Sequence, residues 1–130
     1  MENGKMKMDN EKAKFKKDFK ERIYSLVLRT LKFLSALPKN EVARTATNQL
    51  TRSITSVLAN YVEAQSASSK KEFAIFFQYS LKSANESAMW LELLRDTNNG
   101  KVEEIQSILK ELNAITKILA VSVLTLKNKR

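Results

Sequence analysis

Two carboxylates, Glu63 and Glu72, lie in a stretch where polar side chains crowd between two apolar patterns, ANYVEAQSASSKKEF. A pair of carboxylates can divide general-acid from general-base work. Here the spacing gives one of them a structural task instead. Ser69-Lys70-Lys71-Glu72 has the Ser-x-x-Glu form of a capping box. In that motif the Ser69 hydroxyl accepts from the Glu72 amide, and the Glu72 carboxylate reaches back to the Ser69 amide. The same carboxylate complements the positive end of the helix dipole. Asn60 and Glu63 share a helix edge with Arg52 and Ser56, either a polar seam between helices or subunits or a solvent edge. No reaction is supported, and no catalytic residue is assigned. Lys70 and Lys71 are not needed by the cap. They place positive charge beside the free amides of a helix start, which suits a phosphate, although two solvated lysines fit equally well.

The residue types that are missing exclude more. The chain has no Cys and no His. Ser-His and Cys-His nucleophiles, Cys/His zinc sites, His-ligated haem and the Glu-x-x-His ligands of di-iron bundles are therefore ruled out within one chain. No cofactor or metal is expected, and the chain reads as a non-enzyme. A chain without disulfides is intracellular by default. Its start, MENGKMKMDNEKAK, lacks the apolar segment of a secretory signal. No apolar run approaches the ~18 residues of a membrane span. A soluble, cytoplasmic protein is expected. In that setting Asn85-Glu86-Ser87 resembles a glycosylation acceptor only by chance.

The elements that position these residues are helices. Pro38 is the only proline, and Gly4 and Gly100 are the only glycines, so long stretches lack a breaker. Residues 1–12 read as a disordered basic arm ahead of a single domain over 13–130. The first helix is expected over about 13–37, with Phe19, Ile23, Leu26, Val27, Leu31 and Leu34 inward and Pro38 as its stop. The second, over about 41–66, is capped by Asn40 and turns Ala43, Ala46, Leu50, Ile54, Val57 and Tyr61 inward. The third, over about 70–97, carries Phe73, Phe77, Leu81, Ala84, Ala88 and Leu91. Thr97-Asn98-Asn99-Gly100 signals a turn, and the fourth helix, over about 101–127, carries Ile105, Leu109, Leu112, Leu119, Val123 and Leu126. Short connections make neighbours antiparallel. The expected fold is all-α, an up-down-up-down four-helix bundle.

Two surplus features bear on function. The net charge is +9, with a pI near 9.8, which favours nucleic acid, acidic protein or anionic surfaces as partners. Arg22, Arg29, Lys32, Arg52, Lys70 and Lys71 are the candidate phosphate contacts. Binding through such points should be weakly sequence-specific and sensitive to salt. The second surplus is apolar. Leu58 and Val62 widen the stripe of the second helix. Ile75, Tyr79, Trp90 and Leu93 form a second face on the third, and Tyr24 and Leu28 add to the first. Contiguous apolar surface of this kind marks interfaces, so these residues are the candidate homo-oligomer contacts, with Trp90 and Tyr79 as anchors.

Gln49-Leu50-Thr51-Arg52-Ser53-Ile54-Thr55-Ser56, Ala59-Asn60-Tyr61-Val62-Glu63-Ala64 and Ser69-Lys70-Lys71-Glu72-Phe73 together resemble a bacterial four-helix-bundle family. Its members are the proteins of intervening sequences in large-subunit ribosomal RNA genes and the accessory variability determinants of diversity-generating retroelements. The likeness extends over nearly the whole chain after the arm. The family's proline falls on Leu58 and its glycine on Ala64, and Asn85-Glu86-Ser87-Ala88-Met89 matches only in part. These departures place the chain nearer the retroelement branch. The resemblance implies a homopentameric barrel without catalysis that binds RNA or RNA/DNA and associates with a reverse transcriptase. The alternative it leaves is a structural or protein-interaction module with no nucleic-acid role.

Overall fold

The computed structural model describes residues 2–128, which form four helices: α1 Glu2–Ser35, α2 Glu41–Gln65, α3 Lys70–Asp96 and α4 Val102–Asn128. There is no strand among the described residues. Each helix packs on its neighbour in the chain, and α1 packs on α4 to close the bundle. Cross-helix partners run in opposite numerical directions. Ser87 meets Ser53 and Ser80 meets Val57 between α2 and α3, while Arg22 meets Glu111 and Arg29 meets Ser107 between α1 and α4. Consecutive helices are thus antiparallel, as short connections require.

All six inward residues expected on α2 are buried. Around them, Ile23, Leu50, Ile54, Leu91, Leu94, Ile105, Leu112 and Leu119 have no exposed surface. Phe33, Leu94, Ile108 and Ile115 are buried beyond the expected stripes, and Leu31, Phe73, Leu81, Ala88 and Leu126 pack against the core only partly buried.

Small residues fill the α2–α3 seam. Ala46, Ser53 and Ala64 on α2 and Ser80, Ala84 and Ser87 on α3 are all buried. Small side chains let two helix backbones approach closely, but hydroxyls there need partners. The Ser80 hydroxyl donates to the Val57 carbonyl at 2.8 Å, and the Ser87 hydroxyl lies 2.8 Å from that of Ser53.

One end of the bundle is tied. Asn40 caps α2, accepting from the Ala43 amide at 2.9 Å. Its side-chain amide donates to the side-chain Oδ1 of Asn99 at 2.8 Å, joining the α1–α2 connection to the α3–α4 turn. In that turn Asn98 and Gly100 both adopt positive φ, 57° and 108°. A Cβ on Gly100 would lie 2.7 Å from Cζ of Phe33, so glycine here serves conformation and close approach together.

Three local expectations need correction. α1 begins at Glu2, so the segment read as a disordered arm, residues 1–12, is helical from its second residue onward. Its Lys, Met and Glu content has high helix propensity. Spacings such as Asp9–Lys12 and Glu11–Lys14 favour paired opposite charges on a helix. α1 ends at Ser35 rather than 37, because the residues before Pro38 are pushed out of helical geometry. The capping box is half formed. Ser69 accepts from the Glu72 amide at 3.0 Å, but the Glu72 carboxylate accepts from the Ser68 hydroxyl at 2.9 Å instead of turning to the Ser69 amide.

Candidate functional site

The two carboxylates of the polar stretch do not converge on a reacting centre. Glu63 is exposed on α2, and Glu72 is engaged with Ser68. Asn60 donates to the Ser56 carbonyl one turn back, at 2.9 Å. Its other neighbours across a shallow groove are Tyr79, Lys82, Ser83 and Glu86 of α3, so this edge is a polar margin of the α2–α3 seam.

The six cations expected to contact phosphate fall in separate places. Arg22 and Arg29 lie on the α1–α4 edge with Lys110. Arg22 grips Glu111 with two hydrogen bonds of 2.8 and 2.7 Å. This pairing holds the Glu111 carboxyl below its ordinary range and raises the Arg22 guanidinium further, despite partial burial that opposes both shifts. The charge of Arg22 is therefore largely offset at home. Arg29 donates to the Ser107 hydroxyl and keeps its charge. Lys32 is exposed in the last turn of α1. Arg52 is exposed on α2, roughly 160° around the helix from core residue Leu50. Lys70 and Lys71 stand apart from these, at the start of α3. They line an open cleft of about 930 Å³ with Ser68, Ser69, Phe73 and Leu126.

The cleft belongs to the end of the bundle opposite the Asn40–Asn99 tie. Here α1 runs on past the end of α2. The Tyr61 hydroxyl donates to the Lys16 carbonyl at 3.3 Å, and α2 stops at Gln65. Residues 2–11 of α1 thus project about 15 Å past the end of α2. Every described side chain from Asn3 to Asp18 is exposed. Met8, Glu11, Lys12, Phe15 and Lys16 share one surface where the projection meets the bundle. Reading residues 1–12 as a disordered arm separates Met8, Glu11 and Lys12 from Phe15 and Lys16 of the first helix; the seven-residue step from Met8 to Phe15, followed by Phe19 four residues on, is the signal that joins them.

An aromatic chain connects the projection to the cleft. Ring centroids step from Phe15 to Phe19 at 5.9 Å, to Tyr61 at 5.1 Å, to Phe77 at 5.7 Å and to Phe73 at 4.8 Å. Phe19, Tyr61 and Phe77 are buried, whereas Phe15 is 56% exposed and Phe73 half-buried. Burial pushes the Tyr61 phenol above its usual pKa, so it stays a neutral donor.

Charge follows the same axis. At the tied end Lys32, Lys39, Arg44, Arg95 and Lys101 are balanced by Glu41, Glu92, Asp96, Glu103 and Glu104. At the open end Lys5, Lys7, Lys12, Lys14, Lys16, Lys17, Lys70, Lys71 and Lys127 outnumber the acids around them. The basic excess therefore lies away from the tied end.

The candidate interface residues divide between two edges. Trp90 and Leu93 border a groove with Val42, Thr45 and Ala46 on the α2–α3 edge, where Tyr79 also lies, edge-on to Phe76. Leu58 and Val62 are roughly 160° around α2 from Val42 and Asn60, on a different edge. Val62, Tyr79 and Leu93 are exposed, as are Tyr24 and Leu28 of α1. Leu58, Ile75 and Trp90 are instead half-buried within their own bundle. Trp90 lies over the α2–α3 seam beside Ala46, and Leu58 packs against the core from the other edge of α2. Nε1 of Trp90 is buried with no acceptor among the described residues. No helix among the described residues is long and apolar enough to cross a membrane.

Comparison with known proteins agrees with this architecture. Residues 16–121 match the family described as 23S rRNA-intervening sequence protein. A crystal structure of a protein with unknown function from the S23 ribosomal protein family of Bacteroides thetaiotaomicron VPI-5482 is similar, with a TM-score of 0.72 and 33% identity. The match covers 81% of this chain and 97% of that one. No curated protein matches.

Proposed function

The chain belongs to the 23S rRNA-intervening sequence protein family, and on that premise we propose that it is a non-catalytic, nucleic-acid-binding oligomeric accessory protein. The observation that carries this reading is the concentration of lysines at the open end, opposite a tied end whose charges balance. A polyanion is the partner that such a surface attracts. The likeness of residues 49–73 to retroelement accessory proteins supports RNA or RNA/DNA as the polyanion and a reverse transcriptase as a protein partner.

The apolar edges support self-association. Exposed apolar side chains on different sides of one chain, Val42 and Leu93 on the α2–α3 edge, Val62 on the other edge of α2, and Tyr24 and Leu28 on α1, favour head-to-tail contacts, which close into rings when the rotation permits. The resemblance supplies five as the number of subunits. Light scattering at micromolar concentration tests this part, and a 14.9 kDa particle overturns it.

Nucleic-acid binding is tested by anisotropy with labelled RNA at 50 and 200 mM salt. With four phosphate contacts on a single strand, affinity should fall about 50-fold across that range. Binding that is unchanged by salt, or no binding at low salt, sinks the reading. Co-purification with a reverse transcriptase tests the partner, and recovery of the accessory chain without it counts against that role.

A further inference from the structure

We infer that the open end is a single-strand site, with Phe15 as the platform for a base and Lys12, Lys16, Lys70 and Lys71 as phosphate contacts. This inference rests on the nucleic-acid reading above and locates its site. Single-stranded nucleic acid is held by positive charge along the backbone combined with aromatic faces for the bases, a combination tolerant of sequence. Both ingredients occur at this end. Phe15 is 56% exposed on a helix that projects past the bundle. The lysines on its own surface are Lys12 and Lys16. Four aromatic steps of 4.8–5.9 Å connect Phe15 to Phe73, so the two rings are at most about 22 Å apart. Phe73 shares its cleft with Lys70 and Lys71. A strand laid between the two ledges would meet a lysine pair and an aromatic ring at each. Sites of about 4–16 nucleotides are usual for such combinations.

The arrangement also discriminates among polyanions. A helix that lies in a membrane surface sorts its apolar residues from its lysines. Here Lys12 and Lys16 share a surface with Met8 and Phe15 instead of standing on an opposite polar face. A duplex offers phosphates but keeps its bases stacked inside, leaving Phe15 without a partner. The acids present do not close the site. Glu72 is occupied by Ser68, and Glu11 is the single carboxylate on the Phe15 surface.

The test is anisotropy of the full chain with labelled oligouridylate and oligothymidylate of about ten nucleotides, and with a hairpin duplex of equal length. Phe15→Ala and Phe15→Leu should each weaken single-strand binding roughly 5- to 150-fold, the range expected for one lost stacking contact. The leucine variant keeps the apolar volume, and circular dichroism confirms that both variants remain helical. Lys12→Gln with Lys16→Gln should lower the salt slope by about 1.4, from two phosphate contacts. Lys101→Gln at the tied end should change neither quantity. Wild-type affinity in Phe15→Leu, or equal affinity for the hairpin, overturns the site while leaving nucleic-acid binding in place. Failure of every probe to bind overturns both.

Discussion

At the scale of single residues, the α1–α4 edge depends on one ion pair. The Arg22 guanidinium hydrogen-bonds both oxygens of Glu111 and keeps that carboxyl ionised below its ordinary value. A folded pKa lower than the unfolded one adds stability that is present above the unfolded value and lost as pH falls through the folded one. Both side chains are about a third or more exposed, which limits the pair to roughly 0.2–1 kcal/mol. Glu111→Gln should therefore lower stability by that amount at neutral pH and have progressively less effect below about pH 4. Thermal melts of both proteins from pH 3 to 7 check this, and a constant gap across the range would contradict it. Arg22 is the one proposed phosphate contact that this pair withdraws from service. Sequence spacing could not reveal that, because Arg22 and Glu111 are 89 positions apart.

At the scale of elements, the helices were legible where period alone decides. The six inward residues of α2 recur at helical spacing and are all buried. What period could not show is how near the next helix comes. Ser53, Ser80 and Ser87 are polar by type, yet they make the α2–α3 seam. Their small volume, rather than their chemistry, also fits the partial burial of Trp90, which lies beside Ala46 of α2. Replacing Ser87 by Leu should cost about 1–3 kcal/mol through overpacking, while Ser87→Ala should cost about 1 kcal/mol or less by exchanging one modest hydrogen bond for a methyl. Denaturant titration separates the two, and equal costs would argue against a size-limited seam. The tied end is a second element-scale device. Asn40→Ala removes both the α2 cap and the link to Asn99, so it should cost about 1–2 kcal/mol. A loss below about 0.3 kcal/mol, within the spread expected of a surface change, would show that the link is incidental.

At the scale of the whole molecule, the two ends of the bundle differ in kind. One is tied by side-chain hydrogen bonds and a glycine turn; the other carries a projecting helix, an open cleft and the basic excess. The sequence disclosed the charge but not its segregation, which requires knowing that residues 2–20, 67–73 and 124–128 meet at one end. Deleting residues 1–11 should leave the melting temperature within about 2 °C, because the described side chains of that segment are all exposed. The same deletion should reduce helical ellipticity in proportion and weaken single-strand binding. A large fall in melting temperature would mean that the projection is packed in solution, most simply against another copy. The tied and open ends also set an order of motion. Amides of the projection, with only solvent around their side chains, should exchange hydrogen earliest, and the α2–α3 seam with the tied turn latest. The molecule would then resemble a clasp hinged at one end, in which the half free to fray is also the half that meets its ligand. Binding there would register as slowed exchange in turns that are otherwise the first to open.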